Sequence, residues 1–144
     1  MKNMPKKERK KLAIIVHSGT LDRLYSVFIL GSTAAAMDIE THLYFTFWGL
    51  NMLVKGGLEK AGLPATYKHF EERLKKKLGE MKYPTLYELL KRMKASGSLK
   101  IYACSPTMEM FGIKKEDLIP EVDEIAGAAA FLEIASDADI TLLV

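Results

Sequence analysis

The chain has 144 residues, 49% of them hydrophobic and 27% charged, and these values predict one globular domain with a full apolar core. The single cysteine excludes an intrachain disulfide and a zinc site built on several cysteines. Because no secretory signal is visible either, we expect a cytoplasmic protein. No stretch is apolar enough for a membrane span. Much of the net charge of +3 comes from residues 1–11, which we expect to be a solvated basic tail rather than an arm that binds nucleic acid.

Residues 12–144 are expected to form one domain in which strands alternate with helices. The first strand is a continuous apolar run, and a helix with apolar residues at helical spacing follows it after a short turn. A second strand is rich in β-branched and aromatic residues. These elements are predicted at Leu12–Val16, Leu21–Ala36 and Thr41–Phe47.

The second half of the domain continues the alternation after a charged stretch, Lys68–Met81, that is either an exposed helix or an insertion. Thr85 and Glu88 form a capping-box pattern at the start of a further helix. The remaining elements are predicted at Thr85–Ala95 (helix), Leu99–Ala103 (strand), Leu118–Val122 (strand), Asp123–Ser136 (helix) and Ile140–Val144 (strand). This order predicts an α/β fold, a three-layer sandwich around a largely parallel five-stranded sheet.

Cys104 is the most informative residue, because it lies where the third strand runs into a short helix. Ser105 is a favoured N-cap residue and Pro106 a favoured first helical residue, so the thiol is expected beside a helix N-terminus, which stabilises an anion such as a thiolate. A lone buried cysteine is also often only a small hydrophobic residue. Position alone leaves both interpretations open.

Other candidate site residues lie in loops at the same edge of the sheet as Cys104 or, in the case of Met108, in the short helix that follows it. In a parallel sheet the loops after the strands converge, and ligands bind at that edge. The candidates are His17, Ser18, Gly19, Thr20, Trp48, Ser105 and Met108. Trp48 and Met108 could equally be packing residues, whereas we expect His42 to be structural and His69 to be solvated. No nucleotide-binding glycine motif, hydrolase elbow or metal-ligand cluster is present in the sequence.

Several segments together resemble a known family. They are Val16–Asp22 (VHSGTLD), Phe45–Leu50 (FTFWGL), Ala103-Cys104 with Met108, Gly112–Leu118 (GIKKEDL) and the Gly127-Ala128 region. With these segments the chain resembles the DsrE/DsrF-like superfamily, and within it a branch of single-cysteine, DsrE-type proteins sometimes labelled peroxiredoxin-like. The resemblance covers nearly the whole chain, although Ser105-Pro106 stands where relatives often have Thr and Met.

The resemblance implies a flavodoxin-related α/β fold, a homo-oligomer, and sulfur relay by a cysteine that matches Cys104. This cysteine would carry sulfur as a persulfide, with rhodaneses or TusA-type carriers as partners and with no metal or organic cofactor. Peroxidase chemistry is less well supported, because the chain has no second cysteine to resolve a sulfenic acid. We also expect self-association because six large apolar residues crowd one region: Phe45, Phe47, Trp48, Leu50, Met52 and Leu53.

Two other classes of function remain open from the sequence. The protein could be a non-catalytic binding or scaffold subunit in which Cys104 is buried and inert. It could also be a small-ligand or nucleotide-binding module that uses the Ser18-Gly19-Thr20 turn at a helix N-terminus, although this motif is too short to be specific.

Overall fold

The computed structural model describes residues 9–144, and within this range five parallel strands form one sheet in the order β4-β3-β2-β1-β5. The strands are β1 (Lys11–Val16), β2 (Glu40–Phe45), β3 (Leu99–Cys104), β4 (Glu124–Ala126) and β5 (Ile140–Leu143). The α-helices are α1 (Leu21–Ala36), α2 (Phe47–Asn51), α3 (Glu71–Glu80), α4 (Leu86–Ala95), α5 (Ser105–Phe111) and α6 (Ala128–Ala135). Three short 3-10 segments lie at Leu58–Lys60, Ala65–Phe70 and Lys115–Asp117. The predicted α/β class and the five-stranded parallel sheet are confirmed.

The two faces of the sheet are covered unequally, because alternate residues of each strand point to opposite sides. One face packs against α1 and α4 in the larger core, which contains Ile14, Leu43 and Ile101 among its buried strand residues. The other face forms a smaller core in which α6 contributes one buried residue, Phe131. The smaller core contains Cys104, so the thiol lies on the thinly covered side.

Close packing of α1 on α4 depends on a small residue. Gly31 of α1 is buried, and a β-carbon added there would lie 2.5 Å from Met93 Sδ of α4. Helix α4 begins as predicted, because Thr85 Oγ1 accepts a hydrogen bond from the Glu88 N–H and the Glu88 carboxylate accepts one from the Thr85 N–H. The charged stretch before it forms α3, which has no fully buried residue.

The prediction of a strand at Leu118–Val122 is wrong. Leu118 makes only an isolated bridge to Val54, and Pro120 has no N–H for a sheet ladder. The fourth strand lies later, at Glu124–Ala126. The residue before it, Asp123, is bound to β3 because its carboxylate accepts a hydrogen bond from the Ile101 N–H at 2.7 Å. The helix predicted from Asp123 therefore begins only at Ala128.

The expected apolar surface around Phe45 is also not present. Phe45, Leu50 and Leu53 are fully buried in the larger core, so this region leaves Trp48 as its exposed large apolar residue, with Phe47 and Met52 half-buried. The exposed apolar side chains lie largely elsewhere, and those of α6 and β5 include Leu132 and Leu143, which are 65% and 70% exposed.

Candidate functional site

Cys104 ends β3 and is the N-cap residue of α5, so the predicted strand–helix junction is present and begins one residue earlier than the Ser105 cap we expected. The side chain is 7% exposed and packs with Tyr44, Tyr102 and Ala126. Ala126 is its neighbour across the sheet, in register with Cys104 on β4. The thiol is therefore just beneath the surface at the carboxyl edge of the sheet.

Thr107 is the closest polar partner of the thiol. Its hydroxyl donates a hydrogen bond to Cys104 Sγ at 3.3 Å, one helical turn after the cysteine. Burial raises the pKa of Cys104, but hydrogen bonds from the Thr107 side chain, from Tyr44, from the Thr107 main chain and from Thr46 together outweigh it and lower the pKa below that of a free thiol. The thiolate, which is the nucleophilic form, therefore forms more readily at Cys104 than at a free cysteine.

Tyr44 approaches the sulfur from β2 and connects it to the cover of the smaller core. Its hydroxyl donates to the Ala126 carbonyl at 3.2 Å and its ring stacks on Phe131, with ring centroids 4.6 Å apart. Burial is the largest cause that raises the Tyr44 pKa, and the nearby Cys104 raises it further. Tyr44 therefore stays protonated, and its one hydroxyl hydrogen can point either to the Ala126 carbonyl or to a negative sulfur.

The predicted convergence of the loops after β1 and β2 is present, and two glycines make it possible. A β-carbon at Gly19 would lie 2.5 Å from the Trp48 carbonyl oxygen, and one at Gly49 would lie 2.3 Å from the Val16 carbonyl oxygen. The Gly49 N–H also donates to the His17 carbonyl at 3.0 Å. Close main-chain contacts therefore hold these two loops against each other.

An aromatic cluster joins the loop after β2 to α5. The Phe47 ring stacks on His17, with centroids 5.3 Å apart, and meets Phe111 edge-on at 6.0 Å. Trp48, which is 56% exposed, stacks on Phe111 at 5.5 Å. Trp48 is therefore a surface residue of this edge and not a core residue, and His17 belongs to the same cluster. We call His17, Phe47, Trp48 and Phe111 the aromatic cluster.

The remaining predicted site residues, Ser18, Thr20, Ser105 and Met108, lie in three different environments. Ser18 and Thr20 pair with each other through their hydroxyls at 3.1 Å, and the structure gives them no hydrogen bond to the thiol. Ser105 is half-buried beside the loop between β4 and α6, since a β-carbon at Gly127 would lie 3.7 Å from its Oγ. Met108 is buried in the larger core.

Sequence reasoning missed Tyr44, Thr46 and Thr107, the residues whose hydroxyls surround the sulfur. One signal was available for Thr107, because a residue three positions after an N-cap points back towards it in the first helical turn. The sequence-based prediction that His42 is a structural residue is correct. Both of its ring nitrogens are hydrogen-bonded, one to Tyr102 and the other to Glu40, at 2.8 Å each.

The part of the chain that the structure describes holds no group of three His, Cys, Asp or Glu side chains arranged to bind a metal ion. Between residues 9 and 144, no helix has both the length and the apolar character needed to cross a bilayer.

The chain is similar to named proteins over nearly its full length. It is 34% identical over 160 residues to the sulfur carrier protein DsrE2 of Allochromatium vinosum, covering 95% of this chain and 99% of the relative. It is 28% identical to the uncharacterized protein YrkE of Bacillus subtilis, covering 95% and 98%. The solved structure of MTH1491, a protein of unknown function from Methanobacterium thermoautotrophicum, has the same fold, with a TM-score of 0.58 at 12% identity over 94% of this chain and 99% of that one.

The family model agrees with these relatives. The model of the DsrE/DsrF/DrsH-like family matches residues 8–77 and 58–143, which together span nearly all of the domain described above. The chain belongs to the DsrE/DsrF/DrsH-like family.

Proposed function

We propose that this chain is a sulfur carrier that holds sulfane sulfur as a persulfide on Cys104 and delivers it to the thiol of a partner protein. The observation that carries the proposal is the set of hydrogen-bond donors around an otherwise buried sulfur, above all the Thr107 hydroxyl at 3.3 Å. A purely structural cysteine in an apolar core needs no such donors, and burial alone would raise its pKa. The relative named as a sulfur carrier supports the same role.

The proposed cycle moves one sulfur atom with no net oxidation. The Cys104 thiolate attacks the outer sulfur of a donor persulfide, R–S–SH, the donor's S–S bond breaks, and the donor leaves as the thiolate R–S⁻. The thiolate of the acceptor then attacks the outer sulfur of Cys104–S–SH, and Cys104 leaves as the thiolate. Each step breaks one S–S bond and forms another, so neither a metal nor an organic cofactor takes part.

The partners that fit this cycle are proteins with an accessible thiol or persulfide, and we propose rhodaneses as donors and TusA-type carriers as acceptors. A single cysteine that cannot form an intrachain disulfide also suits the reducing cytoplasm, where we place the protein. His17 and Trp48 lie exposed at the edge of the sheet next to the α5 junction and are the residues we propose to meet such a partner first.

Self-association is part of the proposal, through a surface different from the one the sequence indicated. Helix α6 is apolar on almost every side, yet only Phe131 is buried, and a helix with that composition is usually covered on all sides. A cavity of about 430 Å³ opens between α6 and strands β1 and β5. Because closed homo-oligomers are the commonest assemblies, we propose that a second copy covers the α6 and β5 surface.

One observation favours the alternative function, a scaffold subunit with an inert cysteine. Cys104 is only 7% exposed, so a partner thiol reaches it only if part of its cover moves. The carrier proposal therefore requires part of that cover to open locally. Helix α6, which has one buried residue, is the most weakly attached part of the cover.

The two functions are separated by loading the folded protein with inorganic polysulfide and measuring its intact mass. A carrier gains whole sulfur atoms on Cys104 faster when folded than when unfolded, because folding supplies the hydrogen-bond donors. Cys104→Ser gains none and keeps its melting temperature close to that of the wild type. The loaded protein, freed of polysulfide, then transfers the added mass to a TusA-type protein. Loading that is slower in the folded protein than in denaturant would contradict the carrier and favour the scaffold.

A further inference from the structure

The Thr107 hydroxyl has a full set of three hydrogen-bonding neighbours. It accepts a hydrogen bond from the Phe47 N–H at 3.2 Å, lies 3.0 Å from Thr46 Oγ1, and donates to Cys104 Sγ. A hydroxyl has one hydrogen to donate and two positions at which it accepts. The Phe47 N–H fills one acceptor position, and when the Thr46 hydroxyl turns its hydrogen from the sulfur to the other acceptor position, the hydrogen of Thr107 has only the sulfur to point at.

Phe47 reaches this position only in an unusual backbone conformation. Its φ is +46°, in the left-handed region, which is uncommon for any residue but glycine and is energetically unfavourable. Such a conformation persists when its surroundings hold it. Here the Phe47 ring packs against His17 on one side and against Phe111 edge-on. The aromatic contacts therefore hold the N–H that orients Thr107.

We infer that Phe47 is a positioning residue through which the exposed aromatic cluster sets the nucleophilicity of Cys104. The connection runs from Trp48 and Phe111 at the surface, through the main chain of Phe47, to the Thr107 hydroxyl and the sulfur. The inference rests on the proposed carrier function and names the regulation of that site. A partner that presses on the aromatic cluster and releases Phe47 weakens the hydrogen bond to Cys104 Sγ. The Cys104 thiolate is then a poorer leaving group, so delivery of the carried sulfur becomes slower.

The connection is reciprocal, because two coupled sites affect each other by the same free energy. Ionisation of Cys104 tightens its bond with Thr107 and so changes the environment of the aromatic cluster. Trp48 is the only tryptophan in the sequence, so its fluorescence reports on the cluster alone. We expect the fluorescence to change with the same pH midpoint as the alkylation rate of Cys104, and not to change over that range in Cys104→Ser.

The test measures the pH dependence of Cys104 alkylation by iodoacetamide in the full-length chain and in four variants. Thr107→Val removes the donor, so the pKa of Cys104 should rise and the alkylation rate at pH values below the midpoint should fall by about tenfold. Thr107→Ser keeps the hydroxyl and should restore the wild-type rate. Phe111→Ala does not touch the sulfur but frees one side of the Phe47 ring, and it should shift the midpoint in the same direction by less. Thr41→Val is the matched control, because it removes a buried hydroxyl bonded to the Ile39 carbonyl in the larger core.

An unchanged midpoint in Phe111→Ala overturns the inference, whatever the result for Thr107→Val. The Phe111→Ala variant is expected to fold because Phe111 is only half-buried. A midpoint shift of equal size in Thr41→Val also overturns it, because the effect would then be general. Polysulfide loading of the same variants separates the two proposals. A wild type that loads normally while Phe111→Ala leaves the midpoint unchanged contradicts the positioning role and leaves the carrier function standing.

Discussion

Phe131 lies against Tyr44 with ring centroids 4.6 Å apart and an interplanar angle of 19°, and this stack closes the side of the sheet on which the Cys104 thiol lies. Phe131 is the one buried residue of α6. The attachment of the helix and the accessibility of the thiol therefore depend on the same side chain.

Phe131→Ala should loosen α6 and expose the thiol. We expect a loss of stability of about 3–5 kcal/mol, as for other buried Phe→Ala changes, together with a higher limiting alkylation rate at pH values where Cys104 is fully ionised. Denaturant unfolding and alkylation kinetics measure the two effects. Phe70→Ala is the control, since it makes the same change at an exposed ring beside His69. A destabilised Phe131→Ala with an unchanged limiting rate would show that α6 does not cover the thiol.

The two loop glycines should not tolerate even one added methyl group. Gly49→Ala places a β-carbon 2.3 Å from the Val16 carbonyl oxygen, against main chain that cannot rotate away, and we expect a loss of about 3 kcal/mol or more. Gly79→Ala in α3 is the matched control. A β-carbon there meets nothing within 4 Å, so the variant should gain about 0.5–1 kcal/mol from helix propensity. Thermal melting distinguishes them, and equal melting temperatures would contradict the close loop packing.

Alkaline pH should destabilise the fold through its buried tyrosines. Burial, with the carboxylates of Glu124, Asp123 and Glu40, raises the pKa of Tyr102 to about 12, whereas the unfolded chain releases this proton near 10. The unfolded state therefore binds fewer protons between these values, and the free energy of unfolding falls as pH rises from 10 towards 12. Tyr102→Phe should flatten this dependence in denaturant titrations, while the exposed Tyr67→Phe should not. The same slope in both variants would refute this account.

Self-association should depend on the surface formed by α6 and β5. We expect light scattering coupled to size exclusion to give a mass above that of one chain, and Leu132→Glu to reduce it because a charge would be buried against the second copy. Met81→Glu is the control, since Met81 is 57% exposed and lies after α3. A wild-type mass of one chain that does not change with concentration contradicts the oligomer, and equal effects of both variants contradict this surface.

The local patterns in the sequence were sufficient to predict the central part of the fold. Strand β1 contains the unbroken apolar run Leu12–Val16, β3 is apolar except for Lys100, and α4 carries both an apolar stripe and a capping box, so each is specified within a few residues. The placement of Cys104 followed from the same kind of signal, because a strand that runs into a helix start is a local event.

The hydroxyl groups around the thiol could not be predicted in this way, because they come from different elements. Tyr44 and Thr46 approach Cys104 only because β2 lies beside β3 in a register that pairs Tyr44 with Tyr102. Nothing local to either strand specifies that register. Strand β4 was misplaced for a related reason: three residues are too few for a periodic pattern, and the apolar run before it belongs to the larger core instead.

The position of β1 between β2 and β5 has a consequence for the order of folding. Pairing of β1 with β5 joins residues 128 apart, as in the hydrogen bond from the Lys11 N–H to Asp139, and such distant contacts close slowly. Helix α6 leads directly into β5, so the cover of the thiol is expected to form in the same late step. Pulse alkylation during refolding should therefore find Cys104 open after β1, β2 and β3 have paired, and a newly made chain should pass through a period in which its thiol is more accessible than it is once folding is complete.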